Sequence, residues 1–537
     1  MIDKCRNGEC NSSHVCSLNE INEAISNLKS NQKDYIYEIY SNAFINGTNK
    51  LTNMLNLVFN AILIHGCTDV IFNQSIIIPI VKNNRKSLND SSNYRALTLG
   101  STICKIFEYL LLNKTIHCIQ SDDYQFAFKS KHSTTLCTAM VTQTIEYYKH
   151  NNSNVFALFL DCSKAFDKLK HSKLFNILIE RNVCPLIINI IVNMYAFNNS
   201  RVKWDGTKSV NFYLGNGIKQ GGVLSPALFN IYLESLLINL RDSKIGCHIG
   251  HLCANSFAYA DDIVILSPTL CGIKQLIKIC EDYSTEYSVT FNPSKCSIMH
   301  FDNNYKHRIE AADVHMFGEL IPKTNNYKHL GHNITNGMNI IDLNCMINEI
   351  KTKTNVIRSK FYYLDYNSRC HLFNTHCLSL YGCELSDLQD RNIANLCTAW
   401  RVCCRNVAKL PKRTHSAFLH DIFKTNTLYD ILTQRIYNFL IKGVNHDNDV
   451  VRTVFRNSFI NHSSYFCRNI SLFQKKKQKL SHENMYNDRK IKIKSPSGIE
   501  PWKLDMIIEI LKCLDGFCFV EIDKEILVNT LNYLCTQ

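Results

Sequence analysis

The residues best placed to do chemistry in this 537-residue chain are acids at the ends of apolar runs. Tyr259-Ala260-Asp261-Asp262 lies between the apolar runs Ser256–Tyr259 and Ile263–Ser267, a pattern that predicts a β-hairpin with two carboxylates at its turn. Adjacent carboxylates repel each other, a cost that a purely structural turn avoids. A hard cation such as Mg²⁺ turns that repulsion into binding, because it takes carboxylate oxygens. A third acid, Asp161, ends the nearly all-apolar run Val155–Asp161, which reads as a strand covered on both faces. Singly these signals are weak: most Asp-Asp pairs are solvated turns, and Asp161 also reads as a cap for the helix that follows. Together, at the ends of strands in one sheet, the three carboxylates would hold two divalent ions. One would activate an attacking hydroxyl and the other would stabilise a leaving pyrophosphate.

Between these acids in sequence lies Gly217-Ile218-Lys219-Gln220-Gly221-Gly222-Val223-Leu224-Ser225-Pro226. Glycines let backbone approach a ligand closely, and the Ser-Pro pair launches a helix over Ser225–Leu240. Beside a metal site, such a loop-to-helix element is a natural nucleotide or template platform; by itself it is an ordinary flexible loop.

The elements that must carry these residues are legible from periodicity. Residues 16–70 read as helical, with Leu18, Ile21, Ile25 and Leu28 at helical spacing. Ser75–Lys82 is a strand candidate despite Pro79, and from about Asp342 onward the pattern is helical. A polar segment, Ser471–Gly498, holds Lys475, Lys476, Lys477, Lys479, Arg489, Lys490, Lys492 and Lys494 against Glu483 and Asp488, and Pro501 opens a last helical stretch. Helix, strand and hairpin alternate without regular βαβ spacing, which favours an α+β palm over a doubly wound sheet.

Bulk composition narrows the partners. The net charge is +14, which favours an anionic partner, and 45% hydrophobic residues suffice for several cores. The N-terminus has no apolar core of the signal-peptide kind, and no run reaches the roughly 20 apolar residues that a membrane span needs. The expectation is a chain in the nucleus or cytoplasm, with no membrane partner and its 25 cysteines reduced. Cys5, Cys10, His14 and Cys16 cluster, as do Cys247, His248, His251 and Cys253, but neither has the paired spacing of a zinc site. A frayed terminus accounts for the first and a strand beside a turn for the second.

At this point the sequence resembles a known family, the reverse transcriptases of non-LTR retrotransposons, including the jockey-like group. The resemblance runs from about Ile76 to Ile334. It is carried by IIPIVK (Ile77–Lys82), SSNYRALTL (Ser91–Leu99), QFAFKSKHSTT (Gln125–Thr135), FLDCSKAFDKL (Phe159–Leu169) and GIKQGGVLSPALFN (Gly217–Asn230). FAYADDIVIL (Phe257–Leu266), NPSKCSIMHF (Asn292–Phe301) and YKHLGHNI (Tyr327–Ile334) continue it in the family's order. The resemblance implies that Asp161, Asp261 and Asp262 coordinate two Mg²⁺ ions, with Mn²⁺ as a substitute. It implies that Lys82 and Arg95 contact the triphosphate of the incoming dNTP, that Phe166 lies under the sugar and excludes a 2′-hydroxyl, and that Gln220 lines the nucleotide pocket. Lys295 and Leu330-Gly331 fall in blocks that handle primer and template. Two departures stand out: the family usually has glycine and arginine where this chain has Ala127 and Lys129. Ser26–Ile36 also lacks the glycine- and proline-rich character of the stretch that normally ends in an aspartate.

The fold implied is a right-hand polymerase: fingers, a palm with an antiparallel sheet and a helical thumb, with helical N- and C-terminal extensions. The expected division is 1–70 as a helical extension, 71–335 as fingers and palm, 336–470 as thumb and connection, and 471–537 as a basic linker with C-terminal helices. The expected partners are an RNA template, a DNA primer or target DNA, and dNTPs. No Walker loop or metalloprotease motif appears. A separate endonuclease is a candidate further partner: residues 1–70 are too short for the layered core of an independent nuclease, so the element would use a pre-existing DNA end, borrow a partner's nuclease or be a truncated copy. The competing reading is a decayed or domesticated nucleic-acid-binding remnant, against which the intact acid triad argues.

Overall fold

The computed structural model describes residues 15–162, 165–302, 313–337, 343–461 and 464–474. Cys5, Cys10 and His14, the basic segment from Lys475 onward and the stretch opened by Pro501 lie outside the described residues. The chain divides into two compact units, Met1–Asn339 and Ile340–Gln537.

The first unit begins with helices α1 (Leu18–Ser26) and α2 (Asn49–His65). Strands β1 (Gln74–Val81) and β2 (Tyr94–Gly100) follow, then helices α3 (Thr102–Thr115) and α4 (Thr134–His150). Strand β3 (Val155–Asp161) leads through the short turn of helix Ala165–Lys168 to α5 (His171–Glu180), α6 (Pro185–Ala196) and β4 (Asn199–Trp204). Helix α7 (Ser225–Asp242) precedes the hairpin β5 (Ser256–Tyr259) and β6 (Asp262–Ser267). Helix α8 (Leu270–Tyr287), β7 (Ser297–Phe301) and the hairpin β8 (Asn326–His329) and β9 (His332–Thr335) complete it.

Two sheets organise this unit. The palm sheet has the order β7-β3-β6-β5, with every pairing antiparallel. Strand β3 is central, and Val155 to Leu160 are all buried, so the continuous apolar run records burial on both faces. The second sheet runs β2-β1-β4 and is mixed, because β1 pairs antiparallel with β2 and parallel with β4. Pairing with β4 stops at Ile77, so Pro79, which has no N–H to give, lies where that side of β1 carries no ladder. This is the α+β arrangement of fingers and palm that the alternation of elements predicts.

The N-terminal expectation needs correction. Residues 16–70 are not continuously helical: between α1 and α2 only Asn42–Ile45 forms a helical turn, and 27–41 is irregular. An aspartate organises this stretch. Asp34, 5% exposed, accepts from the amides of Ile36 (2.7 Å) and Tyr37 (3.1 Å) through Oδ1 and from the Thr102 amide (2.8 Å) through Oδ2. Asp34 thereby satisfies a free amide at the start of α3, where the Ser101 hydroxyl caps Cys104. The tie needs only the carboxylate, which explains how the segment dispenses with glycine and proline. Phe59, Phe72 and Phe107, with ring centroids 5.0 to 6.4 Å apart, fill the space between α2 and α3.

The second unit is helical as expected, with α9 (Leu343–Lys360), α10 (Tyr366–Cys377), α11 (Asn392–Val407), α12 (Leu428–Val444) and α13 (Asp449–Ile460). Phe373, Leu396, Ile436, Leu440 and Phe455 are fully buried in it. Gly443 lets the Phe455 ring pack directly on the α12 backbone. No described helix is long and apolar enough to cross a membrane.

Asp34→Ala is expected to destabilise the first unit by about 1 kcal/mol. Calorimetry should show a midpoint lowered by a few degrees, and hydrogen exchange should show the Thr102 amide losing protection while α7 keeps its own.

Candidate active site

The geometry begins with strand register. Asp262 is the cross-strand partner of Asp161 on β3 and of Tyr259 on β5, so Ala260 and Asp261 form a two-residue hairpin loop. Directly opposed residues on antiparallel strands project to the same face with Cβ atoms about 5 Å apart, and like charges there repel. The sequence placed acids at strand ends; the fold brings all three to one end of one sheet.

Burial and neighbouring charge raise the two carboxyls of the hairpin. Asp262 is exposed at the surface, yet desolvation among its neighbours, followed by the charges of Asp261 and Asp161, pushes its carboxyl up to about 6. Burial also raises the Asp261 carboxyl. Asp161 adds to that push, while its own backbone amide and the Arg95 guanidinium pull against it. Lys295 places its Nζ 3.6 Å from Oδ2 of Asp161, an exposed and loose pair. Asp161 is also flanked by two thiols. The Cys296 Sγ lies 3.5 Å from its amide, and Cys162 follows it in the chain, buried and raised well above the usual thiol range by desolvation. Among the described residues no three metal-ligating side chains already sit at closed ligand distance. The donor set nevertheless suits a hard divalent cation: three carboxylates whose mutual repulsion a 2+ charge would relieve.

Arg95 is exposed on β2 and reaches Asp261 electrostatically. Lys82 is exposed just past β1, and its Nζ donates to the Ser92 carbonyl (3.1 Å), so the structure shows no contact between it and the acids. Phe166 stacks flat on Phe229, with centroids 4.2 Å apart and planes 11° apart. Gln220 donates from Nε2 to Asp167 (3.1 Å), and its carbonyl accepts from the Thr98 amide (2.7 Å). The loop around it is glycine-rich for a steric reason. Gly221 has φ +118°, and a Cβ there would sit 2.9 Å from the Thr98 carbonyl oxygen; Gly217 has φ +81°, and a Cβ would sit 2.7 Å from that of Asp167. Gly331 and Leu330 form the left-handed two-residue turn between β8 and β9. The Tyr327 ring of that hairpin stacks on Phe159 at 4.2 Å, two residues before Asp161.

Sequence reasoning missed four residues that hold this arrangement. Tyr327 lay inside a recognised block without a role of its own. Gln125 is fully buried and bonds to Ala260 in the hairpin loop. Glu108, 2% exposed, accepts from the Val223 amide. Lys219, 3% exposed, points its Nζ at the Phe72 carbonyl (3.4 Å) and the Tyr195 ring (5.7 Å). An acid and a base at core positions of a helix and a loop break hydropathy patterning. That mismatch was the available signal for Glu108 and Lys219; a lone glutamine gives none. Cys247, His248 and Cys253, raised as a cluster, lie on a tight ribbon in which His248 pairs with Cys253 across a turn at Gly250.

Comparison with known proteins now has a site to refer to. Residues 80–334 match the family described as reverse transcriptase (RNA-dependent DNA polymerase). The Pol polyprotein of the type-2 retrotransposable element R2DM of Drosophila melanogaster is 26% identical over 249 residues, 45% of this chain and 24% of that protein. The RNA-directed DNA polymerase of the mobile element jockey of Drosophila funebris is 25% identical over 287 residues, 52% of this chain and 30% of that one. The probable RNA-directed DNA polymerase of the X-element of Drosophila melanogaster is 21% identical over 450 residues, 80% of this chain and 48% of its own length. The chain thus spans between a quarter and a half of the length of these relatives. Among solved structures, apo telomerase from Candida tropicalis aligns over 72% of this chain and 69% of its own, at 12% identity and a TM-score of 0.38. The match to the reverse transcriptase family thus covers just under half of the chain, and the relatives it is similar to include the polymerases of jockey, R2DM and the X-element.

Proposed function

We propose that this chain is an RNA-directed DNA polymerase that extends a primer 3′-hydroxyl with dNTPs on an RNA template. The observation that carries the reading is the register pairing Asp161 with Asp262, with Asp261 beside them on a two-residue loop. Two divalent cations held by these carboxylates, Mg²⁺ or Mn²⁺, would supply the charge that activates the 3′-hydroxyl and stabilises the leaving pyrophosphate. The chain's own groups do the rest. Arg95, exposed and already within electrostatic reach of Asp261, binds the triphosphate, and Lys82 adds charge from the end of β1. Phe166, held flat by Phe229, forms the wall under the sugar, where a 2′-hydroxyl would collide. Gln220, tied to Asp167, fixes the floor of the nucleotide pocket. Lys295 offers Asp161 a neutralising charge before substrate arrives and contacts primer or template phosphate afterwards. Gly331, at the tip of a hairpin docked on β3, lets the primer backbone come close.

Three measurements test the reading. Asp262→Asn should lower dNTP incorporation on an RNA template by about a hundred-fold or more, with circular dichroism unchanged. Incorporation at the parent level would return the chain to the nucleic-acid-binding class. Phe166→Val should raise ribonucleotide incorporation relative to deoxyribonucleotide by about ten-fold, and equal discrimination would remove Phe166 from the sugar gate. The third is a stability test in EDTA. The folded-state value of Asp262 lies above that of an unfolded aspartate, so its contribution favours folding at low pH and is lost as pH rises through about 6. Asp262→Asn should therefore melt above the parent at pH 8, with the gap closing toward pH 4.

A further inference from the structure

The loop that carries Asp261 is held in a conformation that its own sequence disfavours. Ala260 has φ +55°, in the left-handed region that is strained for a residue with a side chain. Hairpin loops of two residues commonly place glycine where such a φ is needed. The three neighbouring carboxylates add a repulsion that would be relieved by any opening of the turn. Something outside the hairpin must oppose both.

Gln125 is that group. Its side chain is fully buried, and Oε1 accepts from the amides of Ala260 (2.8 Å) and Ala127 (3.1 Å), while Nε2 donates to the Ala260 carbonyl (3.4 Å). One side chain thus engages both backbone groups of the one residue that carries the strain. The clamp is itself anchored. Phe126 donates its amide to the Ala258 carbonyl (2.8 Å), and Ala258 donates to that of Tyr124 (2.9 Å), so this segment runs as a short parallel partner beside β5. Asn230 on α7 donates to the Ala127 carbonyl (2.9 Å), and Lys129 is drawn back to the carbonyls of Ser121 (2.8 Å) and Asp122 (2.6 Å). With both ends of the segment fixed, the Gln125 amide cannot follow the loop if it opens.

We propose that Gln125 is a positioning residue: by holding Ala260 left-handed, it keeps Asp261 and Asp262 gathered against Asp161. This deepens the polymerase reading and rests on it. Gln125 acts through the backbone of Ala260. Its function is distinct from that of a buried glutamine that merely satisfies its own amide. A merely structural role would be indifferent to how readily residue 260 adopts a positive φ. A clamp would become partly dispensable once that residue is glycine, which adopts such a φ without the penalty.

The experiment uses the full chain with Gln125→Met, which keeps the volume and loses the hydrogen bonds, Ala260→Gly, and the two combined. Single-nucleotide extension gives kcat and KM for dNTP, electron paramagnetic resonance gives Mn²⁺ affinity without substrate, and melting reports the fold. Gln125→Met is expected to lower kcat by about ten-fold or more while KM for dNTP changes by less than about two-fold, and to weaken Mn²⁺ binding. Adding Ala260→Gly should recover about three-fold or more of the lost kcat and a matching part of the Mn²⁺ affinity. An unchanged kcat and Mn²⁺ affinity in Gln125→Met would overturn the proposal, and so would a loss that Ala260→Gly leaves unrecovered. If the parent chain does not extend primers at all, the polymerase reading fails on its own, and the Mn²⁺ titrations alone decide the clamp.

Discussion

The repulsion among Asp161, Asp261 and Asp262 is the constraint to which the first unit answers. Left alone, three carboxylates at one end of a sheet would spread apart. They are kept together because the register of β3 against β6 is overdetermined. β3 is buried on both faces, and a slip of one residue would turn its whole side-chain set over. β7 on one side and β5 on the other make the register costly to change. Burial, followed by the charges of Asp261 and Asp161, raises the Asp262 carboxyl in that fixed geometry.

A second device ties the glycine loop to the fingers. The amide bond from Thr98 to the Gln220 carbonyl joins β2 to the loop, and the close approach at Gly221 permits it. Beneath, Glu108 and Lys219 put an acid and a base in the core. Glu108 caps the Val223 amide just ahead of α7, and Lys219 finds a carbonyl and the Tyr195 ring. Removing Glu108 would leave the Val223 amide without this acceptor, and removing Lys219 would leave the Phe72 carbonyl without this donor. Loop, β2 and the start of α7 are therefore expected to move as one piece.

Much of this was legible in sequence because period and punctuation are local signals. Val155–Asp161 and the acids between Ser256–Tyr259 and Ile263–Ser267 read as strands and a hairpin, and they fold as such. The Ser-Pro start of α7 behaved the same way. What sequence could not supply were contacts between distant segments. Gln125 meets Ala260 across 135 positions, and Asp34 meets Thr102 across 68. The helical reading of 16–70 failed at 27–41, because apolar residues at a helical period continued into a segment that a buried carboxylate folds as turns. Lys295, read only as a member of a block, turned out to lie beside Asp161.

The thiols around Asp161 have a consequence for how the protein ages. A cysteine reacts with oxidants as thiolate, so a thiol held protonated is slow to climb the oxidation ladder. Desolvation raises Cys162 well above the usual thiol range and Cys296 to about 11, and both are buried. The exposed thiols among the described residues, Cys67, Cys271 and Cys345, meet the oxidant first. A cysteine-rich chain can thus take oxidative hits on its surface while the sulfur nearest its acids stays reduced. Damage would show first as cross-linking between molecules, and only later as loss of the site.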